Sequence, residues 1–132
     1  MAESLEHKIR LLAGNRCEYC RIPDSPQFLQ HVLDHIIARQ HGGKSEFDNL
    51  ALCCLRCNQH KGPNLAGIDP ESGAIVPLFH PRRDAWNEHF RYDGPVLIGL
   101  TPAGRATISV LAINLPLRIA VRQVLIEADA FG

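Results

Sequence analysis

The sequence predicts an α+β fold: a small unit of short strands and short helices gathered round one four-cysteine metal site, followed by a C-terminal hairpin or strand and two helices. Two observations carry this. Cys17-x-x-Cys20 and Cys54-x-x-Cys57 stand on either side of a 33-residue insert. Elsewhere, apolar residues at helical spacing alternate with short apolar runs bounded by glycine, proline and aspartate. At 132 residues the chain suffices for one domain with a real core and is too short for two substantial ones. The expected division is residues 1–63 and a C-terminal extension, 64–132, that packs on them.

The elements follow in order. SLEHKIRLLAGN places Leu5, Ile9 and Leu12 at spacings of four and three, with Ser4 as N-cap and Gly14-Asn15 as the stop, and so predicts a helix. CEYCRIPDSPQ reads as a cysteine-rich loop, because its prolines and Asp-Ser pair favour turns. FLQHVLDHI reads as a strand ending before the Gly42-Gly43 turn. LALCCLRCNQHKG predicts a second extended run, a cysteine turn and a helix of about two turns, stopped by Gly62-Pro63.

Beyond residue 64, Asp69-Pro-Glu-Ser-Gly73 looks like a hairpin turn with AIVPLF as the return strand. RYDGPVLIGL reads as one strand entered through Asp93-Gly94-Pro95. Thr101-Pro102 opens a helix, threonine as cap and proline in the first turn. After Asn114 and Pro116 comes a last helix, LPLRIAVRQVLIEADA, with Leu117, Val121, Val124 and Leu125 on one stripe.

Fourteen basic and fourteen acidic residues cancel, so any contact with a polyanion must come from a local patch. No apolar run approaches the roughly 20 residues of a membrane span, and no membrane partner is expected. The N-terminal residues lack a basic leader with an unbroken apolar segment, which predicts a cytoplasmic protein. In that reducing compartment five cysteines are better metal ligands or thiols than disulfides.

Two knuckles of equal spacing suit four thiolates converging on one zinc ion, Zn²⁺ here being structural. Cys53 breaks the two-residue spacing and is left as a buried thiol. The zinc would then clamp the two ends of the insert, which contains VLDHIIARQHGGKSEFDNL.

DHIIARQHGG, DNL and LCCLRCNQHKG, in this order and between the knuckles, resemble the HNH endonuclease family in its zinc-stapled four-cysteine form. The resemblance covers about residues 15 to 63. It implies a ββα-metal finger and a phosphodiester hydrolase acting on nucleic acid, DNA being the expected form. By that resemblance His35 is the general base, Asp34 and Asn58 hold the catalytic cation, and Asn49 braces the loop between the strands.

The chemistry of these residues is compatible with such roles. Imidazole is the side chain best suited to take a proton from water near neutrality. A carboxylate and an amide oxygen suit Mg²⁺ or Mn²⁺ and leave coordination positions open for water and phosphate. Strand alternation places Asp34 and His35 on opposite faces, so both serve one phosphate only if regular pairing stops near His35.

Lys61, His41 and Arg39 are the expected phosphate contacts, Lys61 lying one turn after Asn58. His31 reads as a packed or supporting histidine. In LFHPRRDAWNEHFRY, Trp86, Phe90 and Tyr92 are either core anchors or, with the neighbouring arginines, a grip on nucleic acid. A homodimer or larger assembly would help a neutral chain hold a polyanion. The rival to the enzyme is a binding module that holds nucleic acid or protein without cutting.

Overall fold

A computed structural model of the protein describes residues 4–25 and 30–131. They fall into two compact units, Met1–Asn64 and Leu65–Gly132.

The first unit begins with α1, Leu5–Ala13, capped by Ser4, whose hydroxyl accepts from His7 N, and closed by Gly14 in the left-handed conformation. Its buried face is Ile9 and Ala13, while Leu12 is 59% exposed. The predicted face of Leu5, Ile9 and Leu12 is corrected: the side turned inward runs Leu5, Ile9, Ala13, one residue per turn. Ile9 and Ala13 form a core with Leu50 and Leu52, and Leu5 and Leu33 pack against it.

Strand β1, Val32–His35, pairs antiparallel with β2, Leu50–Cys53, in the register Val32 with Cys53 through His35 with Leu50. Phe28 and Leu29, which the predicted strand included, lie outside the described residues. Regular pairing ends at His35, and one further main-chain hydrogen bond, Ile36 N to Asn49 O at 2.9 Å, marks the exit into the loop. Helix α2, Leu55–Lys61, follows β2 at once, with Cys54 as its N-cap and Gly62 as its C-cap.

The cysteine-rich loop is fastened from both sides. Glu18 N donates to Leu52 O at 2.8 Å, and Leu52 N donates to Glu18 Oε2 at 2.7 Å. Arg10 on α1 donates to Asp24 Oδ2 at 2.6 Å, and buried His31 sets its Nε2 2.9 Å from Ile22 O. His31 is thus a packed histidine.

In the second unit, β3 (Ala66–Ile68) and β4 (Ile75–Pro77) form an antiparallel hairpin. Asp69 organises its turn: its carboxylate accepts from Glu71 N and Ser72 Oγ, and Arg105 meets both oxygens, at 2.9 and 3.0 Å. RYDGPVLIGL is corrected from one strand to two. A single helical turn, α3 (Trp86–His89), leads into β5 (Phe90–Asp93), which pairs with β6 (Val96–Gly99). Gly94, with φ of 57°, makes Asp93-Gly94-Pro95 a hairpin turn rather than an entrance. Trp86, Phe90 and Tyr92 are packed anchors, with ring centroids 5.3 Å apart for Trp86 and Phe90 and 6.2 Å for Trp86 and Tyr92.

Helix α4, Pro102–Val110, starts on the Thr101 cap as predicted. The last helix, α5 (Pro116–Glu127), departs from its predicted packing: Leu117 is 70% and Val124 64% exposed, and its buried residue is Arg122. Arginines at i and i+4 do the docking. Arg118 donates to Leu111 O and Ala112 O, and Arg122 to Ile113 O, Pro95 O and Asn114 Oδ1. The carbonyls of the turn that follows α4, Leu111 to Ile113, accept from these cations, which a count of apolar positions does not reveal. No helix among the described residues is long and apolar enough to cross a membrane.

Candidate metal centres and active site

The four knuckle cysteines converge. Cys17, Cys20, Cys54 and Cys57 are all buried, with their sulfurs within 4.8 Å of one another. Cys20 Sγ and Cys54 Sγ stand 3.7 Å apart, too far for a disulfide of about 2.05 Å. That separation is close to the sulfur–sulfur edge, about 3.8 Å, of a tetrahedron with Zn–S bonds of about 2.3 Å.

The two knuckles repeat one local geometry. Cys17 Sγ accepts from Cys20 N at 3.5 Å and Cys54 Sγ from Cys57 N at 3.4 Å, contacts that favour the thiolate. Burial works against ionisation at Cys17, but hydrogen bonds from Cys20, Cys53, Cys54 and Cys57 outweigh it and hold that thiol well below its ordinary range. Contact with Cys17 pushes Cys20 up, and burial pushes Cys57 up. A cation resolves this conflict by taking all four as thiolates. Cys53 stands outside the cluster, buried, its thiol donating to Cys54 O at 3.4 Å.

Next to the cysteine cluster lies a polar group built from three elements. Asp34, on β1, is 4% exposed. Its Oδ2 accepts from the Tyr19 hydroxyl at 2.9 Å and lies 3.1 Å from Lys61 Nζ. Its Oδ1 meets Asn58 Nδ2 at 3.3 Å and Lys61 Nζ at 3.4 Å. Burial raises the Asp34 carboxyl above its ordinary range, with the Lys61 charge and the Tyr19 hydroxyl opposing that rise. Tyr19 itself is pushed well up by burial and by the Asp34 charge, which keeps its hydroxyl a donor.

His35 turns to the other side of β1, half-buried, with Nε2 2.9 Å from Ser45 Oγ. Arg39 joins both, its Nε 3.4 Å from His35 Nε2 and its Nη2 3.2 Å from Ser45 Oγ. Asn49 holds the loop that starts after β1. Its Oδ1 accepts from Ile37 N, and its Nδ2 donates to Ile37 O and Lys44 O, all at 2.8 to 2.9 Å. The loop is so closely folded at Gly43 that a Cβ there would fall on Ile37 O.

Residues 17–64 match the family model described as HNH endonuclease. That stretch is an HNH endonuclease domain. Its mixed helices and short sheets, with the four-cysteine cluster, fit the zinc-stapled form of that family. No curated protein and no solved structure matches the chain.

Within the HNH domain, the expected site residues fall into separate places. Asp34 and Asn58 meet, His35 stands at the end of the same strand, and Asn49 lies in the loop wall. Arg39 and His41 are exposed on a short helical turn, Arg39–His41. Lys61 departs from the expected phosphate contact. It is 2% exposed, and its ammonium is shared by Asp34, His35 O and Ile36 O, at 3.1 Å from each carbonyl. The side chain facing inward at the last turn of α2 follows from β1 lying beneath that turn, a tertiary fact that helical spacing does not contain.

Tyr19 and Ser45 were not among the sequence-predicted residues. A tyrosine inside a knuckle must lie near the metal, which is the one signal available for it. A serine in a polar loop carries none.

Proposed function

We propose that the HNH domain hydrolyses phosphodiester bonds of nucleic acid, with DNA as the expected substrate, using His35 as general base and one Mg²⁺ or Mn²⁺ ion. The meeting of Asp34 and Asn58 carries this reading. Two side chains from β1 and α2 come together at 3.3 Å beside the strand end that bears His35. The donor set fits a hard cation: turning the Asn58 amide over presents its oxygen where its nitrogen now meets Asp34, and a carboxylate and an amide oxygen are ligands such an ion accepts. When bound, the ion would polarise the phosphoryl group and offset charge on the leaving oxygen.

The chain's own residues supply the remainder. Arg39 Nε now donates to His35 Nε2; once Arg39 turns to a phosphate oxygen, Ser45 Oγ can accept the Nε2 proton of His35, which leaves the lone pair on Nδ1 to take a proton from water. The water oxygen forms the new bond to phosphorus, the bond to the sugar oxygen breaks, and that oxygen takes up a proton from solvent. Arg39, exposed and joined to both His35 and Ser45, is placed to meet a phosphate oxygen, and His41 stands two residues further on. Asn49 keeps the loop closed behind His35. The four cysteines hold structural zinc, and the ββ pair and α2 hang from that clamp.

The deciding experiment is plasmid nicking with Mg²⁺ or Mn²⁺ by the wild-type chain and by His35→Ala, with zinc content measured in both. Loss of a general base is expected to slow cutting by about 10² to 10⁴-fold. Equal cutting by the two zinc-loaded proteins, or none by either, overturns the assignment and leaves a nucleic-acid or protein binding module.

A further inference from the structure

Tyr19 links the two metal sites, and the link follows from its position in the chain. It sits between Cys17 and Cys20, with 0% exposure. The main chain around it is fixed at several points: Cys17 N to Ile22 O, Arg21 N to Cys17 O and Glu18 N to Leu52 O, all at 2.8 to 2.9 Å. A ring carried on so restrained a backbone has little freedom, and its hydroxyl ends 2.9 Å from Asp34 Oδ2.

The carboxylate is the more mobile partner, because an aspartate can turn about its last torsion at small cost. With Tyr19 on Oδ2 and Lys61 reaching both oxygens, that rotation is stopped with Oδ1 on the Asn58 side. Tyr19 enters from the first zinc knuckle. Lys61 enters from the helix that begins beside Cys54 in the second. The zinc clamp thus holds both arms that set Asp34.

We infer that Tyr19 is a positioning residue, whose hydroxyl fixes the Asp34 carboxylate for the catalytic cation and so makes the cation site depend on the zinc clamp through a side chain. The inference rests on the assignment of Asp34 as a ligand of that cation. Partners that orient a metal ligand typically contribute about 10- to 100-fold in metal affinity or activity.

The test is Mn²⁺ binding to the zinc-loaded full chain, followed by electron paramagnetic resonance, for wild type, Tyr19→Phe and Asp34→Asn. The expected result is unchanged zinc content in Tyr19→Phe, with Mn²⁺ bound about 10- to 100-fold more weakly, and loss of binding in Asp34→Asn. Wild-type affinity in Tyr19→Phe, with binding lost in Asp34→Asn, overturns the role of Tyr19 and leaves the cation site standing. Equal binding by wild type and Asp34→Asn, or none by wild type, removes the cation site and the inference with it.

A second measurement covers the case in which Tyr19→Phe loses zinc. The chain has two tyrosines, Tyr19 and Tyr92, so 3-fluorotyrosine labelling gives two ¹⁹F signals, assigned through Tyr92→Phe. On Mg²⁺ loading the Tyr19 signal is expected to move and the Tyr92 signal to stay. A Tyr19 signal that does not respond to bound Mg²⁺ also overturns the inference.

Discussion

Asn49 and Ile37 pair as two residues of a sheet would, except that one partner is a side chain. Asn49 Oδ1 accepts from Ile37 N at 2.8 Å and Asn49 Nδ2 donates to Ile37 O at 2.9 Å, continuing the ladder one residue past Ile36. Asn49→Ala would leave both groups of Ile37, and Lys44 O, without this partner. The expected cost is about 1–3 kcal/mol, because the groups lie partly out of water. Urea unfolding of the zinc-loaded protein measures it, and a change within about 0.5 kcal/mol would show the loop to be held otherwise.

The two adjacent glycines of this loop should behave differently. At Gly42 a methyl group meets open space, but φ of 88° makes any L residue strained. Gly42→Ala is expected to cost about 1–2 kcal/mol. At Gly43 the methyl group would fall on the Ile37 carbonyl, so backbone must move and the Asn49 pairing with it. Thermal melts should therefore rank Gly43→Ala well below Gly42→Ala, with the proposed nuclease activity falling in the same order.

Zinc affinity should depend on pH. In the metal-free cluster burial holds a proton on Cys57, and contact with Cys17 holds one on Cys20, whereas the bound ion requires thiolates. Uptake of zinc therefore releases protons, and affinity should weaken steadily as pH falls from about 8 to about 6. Competition with a chromophoric chelator across that range reports it. Affinity independent of pH would mean that the thiols are already ionised. Cys57→Ser, at the same time, should leave the first unit unable to keep its fold.

Acid should act on the second unit by another route. Arg105, Ser72 and the Glu71 amide hold the Asp69 carboxyl far below the ordinary carboxylate range. A depressed native value contributes stability that is fully present above the unfolded value of about 3.9 and is lost as pH falls through the native one. Asp69→Asn should remove that part of the acid sensitivity, leaving a melting temperature less dependent on pH below about 4. A wild-type slope in the variant would refute the assignment.

Much of the first unit was legible in sequence because its signals are local. The Ser4 cap, the paired knuckles and the stop at Gly62 each depend on a few neighbouring residues, as does the Thr101 cap in the second unit. What was missed depends on distant ones. Tyr19 finds Asp34 fifteen residues away, and Lys61 turns inward because β1 lies beneath α2. The stripe on α5 failed for a related reason: two arginines bound to carbonyls of the turn after α4 face inward where the aliphatic residues Leu117 and Val124 do not. Asp93-Gly94-Pro95 reads in sequence as the entrance to one strand, because the run before it, Phe90–Asp93, is only four residues long and finds its partner across the turn.

Glu18 has one more consequence. It occupies both the N–H and the C=O of Leu52 on the side of β2 away from β1, through its own carboxylate and amide. A two-stranded sheet ordinarily offers such an edge to any extended chain that comes near. Here Glu18, set between Cys17 and Cys20, closes it at Leu52, so the cysteine-rich loop also covers an edge that would otherwise invite edge-to-edge aggregation.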